Sequence, residues 1–378
     1  MSILKTIYLQ HLNGSTPNAT LDANGNMTVT GTVAGAYSDM FRNRIINGDM
    51  RIDQRNAGAA ITSDAFAVDR WMTYFNSGTV SRQQSSVAPP GFTNSLGITV
   101  TSAGNRNATS YCIIQQVIEG YNISDFDMGL SSAKTVTLSF WVRSSLIGLY
   151  SGAITTSDNT ALYAFTYTIN SANTWQYITV TIPGYTSGTW YKTNGVGTLI
   201  RFDLGSGSNY QASSLGSWVS GINQSGVSGT VGFGQTLSAT FYITGVQLEV
   251  GTVATPFERR PYGTELALCQ RYAYKITRNS NYPLSMGNAE STTRGYVSFI
   301  MPVVMRATPT VTQTGYTAYT LRGTTSDVAC SSGGFGGILP WLIGAELNTG
   351  TAHGAPAGGC VKFSMSSDAA YILAEAEL

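Results

Sequence analysis

Trp141 and Arg143 stand two residues apart in "TVTLSFWVRSS", and Trp175 and Tyr177 stand two apart in "WQYITVTI". In an extended strand that spacing places both members of each pair on one face. Flat aromatic rings beside a guanidinium suit sugars, which present an apolar ring face and a rim of hydroxyls. Tyr163, Phe165 and Tyr167 share a face by the same count, which adds Tyr167 to the candidate glycan contacts. Phe335 and Trp341, in the glycine-rich "CSSGGFGGILPW", complete the set as loop residues. The same residue types are favoured where one chain packs on another, so a neighbouring subunit is the competing partner. A bulge that shifts the strand phase would instead send Trp141 or Trp175 into the core.

Catalytic chemistry has little to work with. There are two histidines, His11 and His353, in separate regions, and no G-x-S-x-G elbow. Asp125 and Asp127 in "ISDFDMG" are the nearest pair of carboxylates for glycoside hydrolysis, which needs two about 5–10 Å apart; a turn is the simpler use for them. The "GFGG" and "SGSG" glycines precede neither a helix nor a lysine, so they are not phosphate loops. No cofactor or metal site is expected. The four cysteines, Cys112, Cys269, Cys330 and Cys360, lack metal-type spacing and are read as reduced thiols, with Cys330 and Cys360 the one pair worth testing for a bridge.

Charge is scarce and clustered. Only 11% of the chain is charged and the net charge is +1, with no basic tract to suit nucleic acid. Soluble surfaces are usually about 25–35% ionic, so polar uncharged residues or other copies must cover this one. The ions gather in "NRIINGDMRIDQRN" and "FERRPYGTELALCQRYAYK", while Thr155 to Leu199 carries only Asp158 and Lys192. Arg44, Asp49, Arg51, Asp53 and Arg55 in the first run, with Glu249, Glu258, Arg259 and Arg260 near the second, are expected at a subunit or domain junction. Arg forks would fix the geometry there; solvated surface pairs are the alternative.

The elements that must carry these residues are strands. Thr, Ser, Asn, Tyr and 42 glycines dominate, which favours strands and turns. In "TVTLSFWVRSS", Val136, Leu138, Phe140 and Val142 face one way and Thr137, Ser139, Trp141 and Arg143 the other. Ile178, Val180 and Ile182 alternate likewise against Trp175, Tyr177 and Thr179. The chain is therefore expected to be all-β. Residues 1–40 form an N-terminal β segment with a hairpin at Asn24-Gly25, too small to hold its own core. Residues 41–260 form a β-sandwich that starts with "NRIINGDMRIDQRN" as a strand and closes with "ATFYITGVQLEVG"; Gly205 to Gly234 is a surface loop. Residues 261–276 form a short linking helix capped by Thr264, and residues 277–378 a small C-terminal β-sandwich, with Pro302 and Pro309 at strand ends. The opening "MSILKTIYLQHLNG" reads as no export signal, and no apolar run reaches the ~18 residues of a membrane helix.

The runs "NRIINGDMRIDQRN", "FAVDRW" and "FYITGVQLEVGTVATPFERRPYGTELALCQRY", with the opening "LDANGNMTVTG", resemble a family of bacteriophage tail-fibre and virion proteins over roughly residues 1–275. Residues 43–250 also resemble a jelly-roll carbohydrate-binding module. Such modules begin near Asn47-Gly48-Asp49 and end in a strand written Asp-Asp-Val-x-Leu, here Thr244-Gly245-Val246-Gln247-Leu248. The carboxylates that hold a structural calcium in those modules are replaced, so no metal is implied. The resemblance implies a non-enzymatic homotrimeric fibre protein of the virion, assembled in the host cytoplasm. It would dock on other tail or head proteins through residues 1–40 and bind bacterial surface polysaccharide, without nucleic acid and without membrane insertion. A structural virion protein without glycan binding, such as a head decoration or tail adaptor, is the alternative, and a depolymerising enzyme a remote third.

Overall fold

A computed structural model describes residues 41–277, 283–324 and 327–378, with the backbone of three short strands before them. Those strands, β1 (Tyr8–Leu9), β2 (Ala19–Leu21) and β3 (Met27–Val29), form one antiparallel sheet in which Leu21 faces Met27. The β2 and β3 strands flank Asn24-Gly25, as a hairpin requires; the turn itself and the other residues of 1–40, His11 among them, lie outside the described residues.

The alternating segments then build two sheets from β4 (Ala65–Val68), β5 (Trp71–Phe75), β6 (Thr79–Ser85), β7 (Ser95–Ser102), β8 (Cys112–Glu119), β9 (Val136–Ser144), β10 (Gly148–Thr155), β11 (Ala161–Ile169), β12 (Gln176–Ile182), β13 (Val196–Asp203), β14 (Trp218–Ser220) and β15 (Thr240–Val250). One sheet has the order β14-β11-β10-β13-β8-β5-β4 and the other β12-β9-β15-β7-β6. Their inner faces share one core, which includes Trp71, Phe140, Phe202 and Phe241. Aromatic and branched side chains at every second position bury against the opposite sheet; this is the all-β sandwich expected from the alternation.

Several local expectations need correction. Residues 43–56 form no strand. Asn47 and Met50 adopt left-handed backbone (φ 56° and 58°), and the Asn47 side chain bonds both the N–H and the carbonyl of Ile52, so the run folds back on itself. It still lies beside the last strand: Arg44 N–H donates to Leu248 and Val246 N–H to Gly48, each at 2.9 Å. The segment expected as a surface loop at 205–234 supplies the edge strand β14 and covers Ala153, Leu162 and Ala164 with Ala212 and Val219.

The helix α1 (Tyr262–Gln270) is preceded by Pro261, whose extended backbone starts it without a side-chain cap. Thr264 therefore lies inside the helix and is not its cap. Cys269 packs with Ile46, Ile52 and Tyr272, so the helix rests on the 43–56 run.

Beyond it come β16 (Ala273–Thr277), β17 (Ser285–Ala289), β18 (Arg294–Ile300), β19 (Thr310–Gln313), β20 (Tyr319–Arg322), β21 (Asp327–Leu339), β22 (Leu342–Thr349), β23 (Cys360–Met365) and β24 (Tyr371–Glu375). The expected small sandwich is instead a closed barrel, β17-β18-β22-β21-β20-β23, beside a three-stranded sheet β16-β24-β19. Closure follows because β17 pairs with both β18 and β23, which leaves no free edge. The glycine-rich run expected as a loop is most of β21: its backbone pairs with β22, Gly334 facing Glu346 and Gly336 facing Gly344. All four cysteines are free; Cys330 is buried and Cys360 exposed.

Candidate functional site

The outward face of the five-stranded sheet gathers the aromatic pairs. Val136, Leu138, Phe140 and Val142 of β9 are fully buried, which turns Trp141 and Arg143 outward. On β12, Tyr177 lies directly opposite Trp141, with ring centroids 5.2 Å apart, and Tyr177 is 42% exposed. On β15, Tyr242 lies opposite Arg143, whose guanidinium sits 5.2 Å from the Tyr242 ring. The Trp175 ring is 6.4 Å from that of Tyr242.

One row of side chains therefore crosses the sheet from Trp175 through Arg143 and Tyr242 to Gly97 and Gln83. Gly97 faces Tyr242 on one side and Gln83 on the other. A Cβ at Gly97 would stand 3.0 Å from Cε1 of Tyr242, so a bare backbone is what lets that ring lie down on the sheet. Trp141 and Tyr177 form a second row alongside. The hydroxyls of Tyr177 and Tyr242 have no hydrogen-bond partner among the described residues. Such a face offers flat apolar area, free hydroxyls and a cation.

The same face is sealed along its other half. Thr137, Ser139, Gln247 and Glu249 also point outward, yet all are buried. Residues 251–259 return over them: Thr137 Oγ1 donates to Gly251 O (2.8 Å), Thr255 N–H to Glu249 (2.9 Å) and Glu258 N–H to Gln247 (2.8 Å). Where this cover ends, Phe257 meets Phe92 edge-on at 5.2 Å, and Arg259 lies 4.7 Å from the Phe92 ring. The open strip thus has a wall on one side.

Of the residues singled out in the sequence, Trp141, Arg143, Trp175 and Tyr177 come together here. Tyr167 does not. It lies in the core, stacked 5.7 Å from Tyr150 and 5.2 Å edge-on from Phe140, and Tyr163 and Phe165 are buried with it. The shared face was read rightly, but it is the inner one. Phe335 and Trp341 are on the barrel. Phe335 packs partly on the barrel core and lines a depression of about 450 Å³ with Tyr296, Glu346 and four glycines. Trp341, half exposed, sits in the turn between β21 and β22. Tyr242 and Phe92 were missed. Tyr242 was findable from its alternation with Phe241 and Ile243; Phe92 carries no periodic signal.

The two charged runs meet within one chain. Arg42, Asn43 and Arg260 engage Glu249 and Glu258, and Arg260 also reaches Glu265 and the carbonyls of Asn43 and Ile45. Asp49 pairs with Arg51, which donates to the Arg260 carbonyl, and Arg44 pairs with Asp125. Arg259 donates to the Gly91 carbonyl. Asp53 accepts the N–H groups of Asn56 and Gly58, capping the loop. Arg55 ties the sandwich to the C-terminal segment through Asp69, Glu375 and Glu377, and buried Arg70 also pairs with Glu377. Burial raises the Asp69 and Glu265 carboxyls above their ordinary value, with Arg55 and Arg260 opposing the shift.

Asp125 and Asp127 occupy a 3-10 turn and its left-handed end, held by Arg44 and Lys134, not one strand face. His353 is fully buried. At the closing strand the Gln247 amide donates to Glu249 (2.8 Å).

No protein family model matches this chain, and no curated protein is similar to it. Solved structures that are similar include the enzymatically active domain of tailspike protein 4 of bacteriophage CBA120 (14% identity, TM-score 0.32, covering 56% of this chain and 22% of that one). Others are the family 11 carbohydrate-binding module of Clostridium thermocellum in complex with a β-1,3-1,4-mixed-linked tetrasaccharide (15%, TM-score 0.27, 52% and 96%) and the CBM22-1 xylan-binding domain of Paenibacillus barcinonensis Xyn10C (11%, TM-score 0.24, 53% and 99%). This chain thus spans under a quarter of the tailspike structure. At such similarity, function has to be read from the residues themselves.

Proposed function

We propose that this chain is a non-enzymatic attachment protein of a bacteriophage tail fibre that holds the virion to bacterial surface polysaccharide. The observation that carries the glycan part is the strip formed by Trp141, Arg143, Trp175, Tyr177 and Tyr242. It stays open while the chain seals the adjoining half of the same face. Sugar rings stack on the aromatics, and the rim hydroxyls meet Arg143, Gln83 and the free tyrosine hydroxyls. The strip crosses the strands and is shallow, so each site is weak and multiplicity supplies the avidity. The virion setting, the homotrimer, docking through residues 1–40 and assembly in the host cytoplasm rest on the resemblance of the 43–56 and 241–272 motifs to phage fibre proteins.

The alternative, a purely structural virion part, is favoured by a different surface. Ile300, Val304, Leu339 and Trp341 leave an apolar cluster exposed at one end of the barrel, as a subunit contact would. The test is binding of the purified chain to an array of bacterial surface polysaccharides, beside a Trp141→Ala, Tyr177→Ala double variant. Binding that the double variant loses supports attachment. No binding, with an oligomer that dissociates when Ile300 and Trp341 are replaced by Ser, supports the structural role.

A further inference from the structure

The open strip is aromatic and, in charge, one-sided. Arg143 stands at its centre, between Trp175 and Tyr242. Its Nε–H donates to the carbonyl of Asn173 (2.8 Å), which fixes the guanidinium plane over the Tyr242 ring. No carboxylate among the described residues lies within ion-pair distance of it, and its two Nη groups have no partner there. At the wall of the same strip, Arg259 lies against the Phe92 ring and spends one Nη on the Gly91 carbonyl; it too lacks a carboxylate.

Among the described residues, no acid pairs with either of them. Glu249 is buried under residues 251–258, bonded to Thr255 and Arg42. Glu258 is turned away to the Asn43 N–H and Arg260. Elsewhere on the sandwich partly exposed arginines have their donors engaged: Arg42 finds Glu249, Arg44 finds Asp125, Arg51 finds Asp49, and Arg106 spends its guanidinium on the Ser206 and Thr230 oxygens. In a chain so poor in charge, two uncompensated guanidinium groups on one aromatic face is a specific arrangement.

We propose that the polysaccharide bound by this strip is acidic, and that a sugar carboxylate of the uronate class seats on the free Nη edge of Arg143. The planar fork matches a carboxylate bidentately, and with Nε held by Asn173 the Nη1–Nη2 edge is already oriented. The flanking rings of Trp175 and Tyr242 take the apolar faces of the same sugar or its neighbours. Arg259 adds attraction at the wall. The inference rests on the glycan-binding reading of this strip and narrows it to one ligand class.

The test uses the full chain and the strongest acidic binder from the polysaccharide array, compared with the same polymer after its carboxyl groups are reduced to primary alcohols. The wild type should bind the reduced polymer at least about tenfold more weakly, as expected when a charge-assisted fork is lost. Arg143→Gln should bind both polymers with the same low affinity, and Arg143→Lys should keep part of the preference through charge alone. Thermal melts confirm that the variants fold. If Arg143→Gln is unfolded, the polymer comparison and its dependence on salt still decide. A weakening with salt for the acidic polymer alone supports the proposal. Equal binding of the two polymers, or an array led by neutral polysaccharides, overturns it and leaves the glycan reading standing. No binding to any polysaccharide overturns both. Loss of binding when phosphodiesters are cleaved, with carboxyl reduction harmless, would assign the anion to phosphate and overturn the uronate assignment.

Discussion

Gly245 sets the distance between the binding strip and its wall, and replacing it with alanine probes that arrangement directly. Gly245 sits at a bulge in β15, where the pairing with β9 slips between Thr244 and Gln247, and its backbone is left-handed (φ 62°). A Cβ there would meet Phe92 Cζ at 2.7 Å and Trp141 Cδ1 at 3.1 Å. Two costs follow. The left-handed conformation itself costs an alanine about 1–2 kcal/mol. Moving the Phe92 and Trp141 rings off their seats adds roughly 0.5–1.5 kcal/mol. Gly58 isolates the first cost: it is also left-handed (φ 82°) but has nothing within 4 Å of its would-be Cβ. Any gain from a stiffer unfolded chain is common to both variants and cancels. In a domain of this size each 1 kcal/mol lowers the melting temperature by about 2–4 °C. Gly58→Ala should therefore melt roughly 2–8 °C lower with glycan affinity unchanged. Gly245→Ala should melt lower still and lose glycan affinity by about tenfold or more, because Trp141 is displaced. The pair is measured by thermal melts and by titration with the array-selected polysaccharide. If the two variants melt alike and bind alike, Phe92 and Trp141 do not crowd the bulge, and the account of the wall is wrong.

Trp141→Ala should lower glycan affinity with little change in melting temperature, whereas Trp218→Ala should leave affinity intact. The latter should cost roughly 3 kcal/mol, because Trp218 is stacked on Tyr185 at 4.6 Å and donates to the Pro183 carbonyl; titration and denaturant melts separate the two. Glu377→Ala should strand the buried Arg70 guanidinium and cost about 3 kcal/mol, seen as a lower denaturant midpoint. Burial holds the Asp203 carboxyl above its ordinary value, opposed by the N–H groups of Ser206 and Gly205 and the Ser225 hydroxyl. The folded state therefore binds that proton more tightly than the unfolded one. Its stabilisation is complete below the unfolded carboxylate value of about 4 and is lost as pH rises through the raised folded value. The wild type should accordingly gain stability relative to Asp203→Asn on acidification from pH 7, and a difference that stays flat with pH would contradict the assignment.

How far the chain could be read from its letters depended on how many faces of each strand are buried. In β9 one face is core and one is open, so period-two alternation separated Phe140 from Trp141 correctly. In β11 both faces are buried. Tyr163, Phe165 and Tyr167 fill the core, while Leu162 and Ala164 lie under the 205–234 segment, so alternation could not tell which face was free. The charged runs were legible as partners because ion scarcity made them conspicuous. The irregular path of 43–56 was not, since it depends on the Asn47 side chain replacing a strand partner for Ile52. The glycines of β21 suggested a loop because glycine carries no side-chain preference. Pairing with β22 inside a closed barrel settled the matter by non-local hydrogen bonds that no local pattern encodes.

These failures share a physical cause that bears on the site. Alternation reports burial, and burial by a covering loop looks the same in sequence as burial by an opposing sheet. The outward face of the five-stranded sheet contains both cases: Ser139 and Gln247 are covered by residues 251–259, and Trp141 and Tyr242 are not. Alternation puts Ser139 and Trp141 outward together, whereas Gln247 and Tyr242 share that face only because β15 slips by a bulge between Thr244 and Gln247. Only the return of the chain after Gly251 divides that face, and the division leaves the aromatic residues and an uncompensated Arg143 on the open side and the acid Glu249 on the closed side. A covering segment that sorts charge in this way shapes a binding surface as directly as the strands beneath it do.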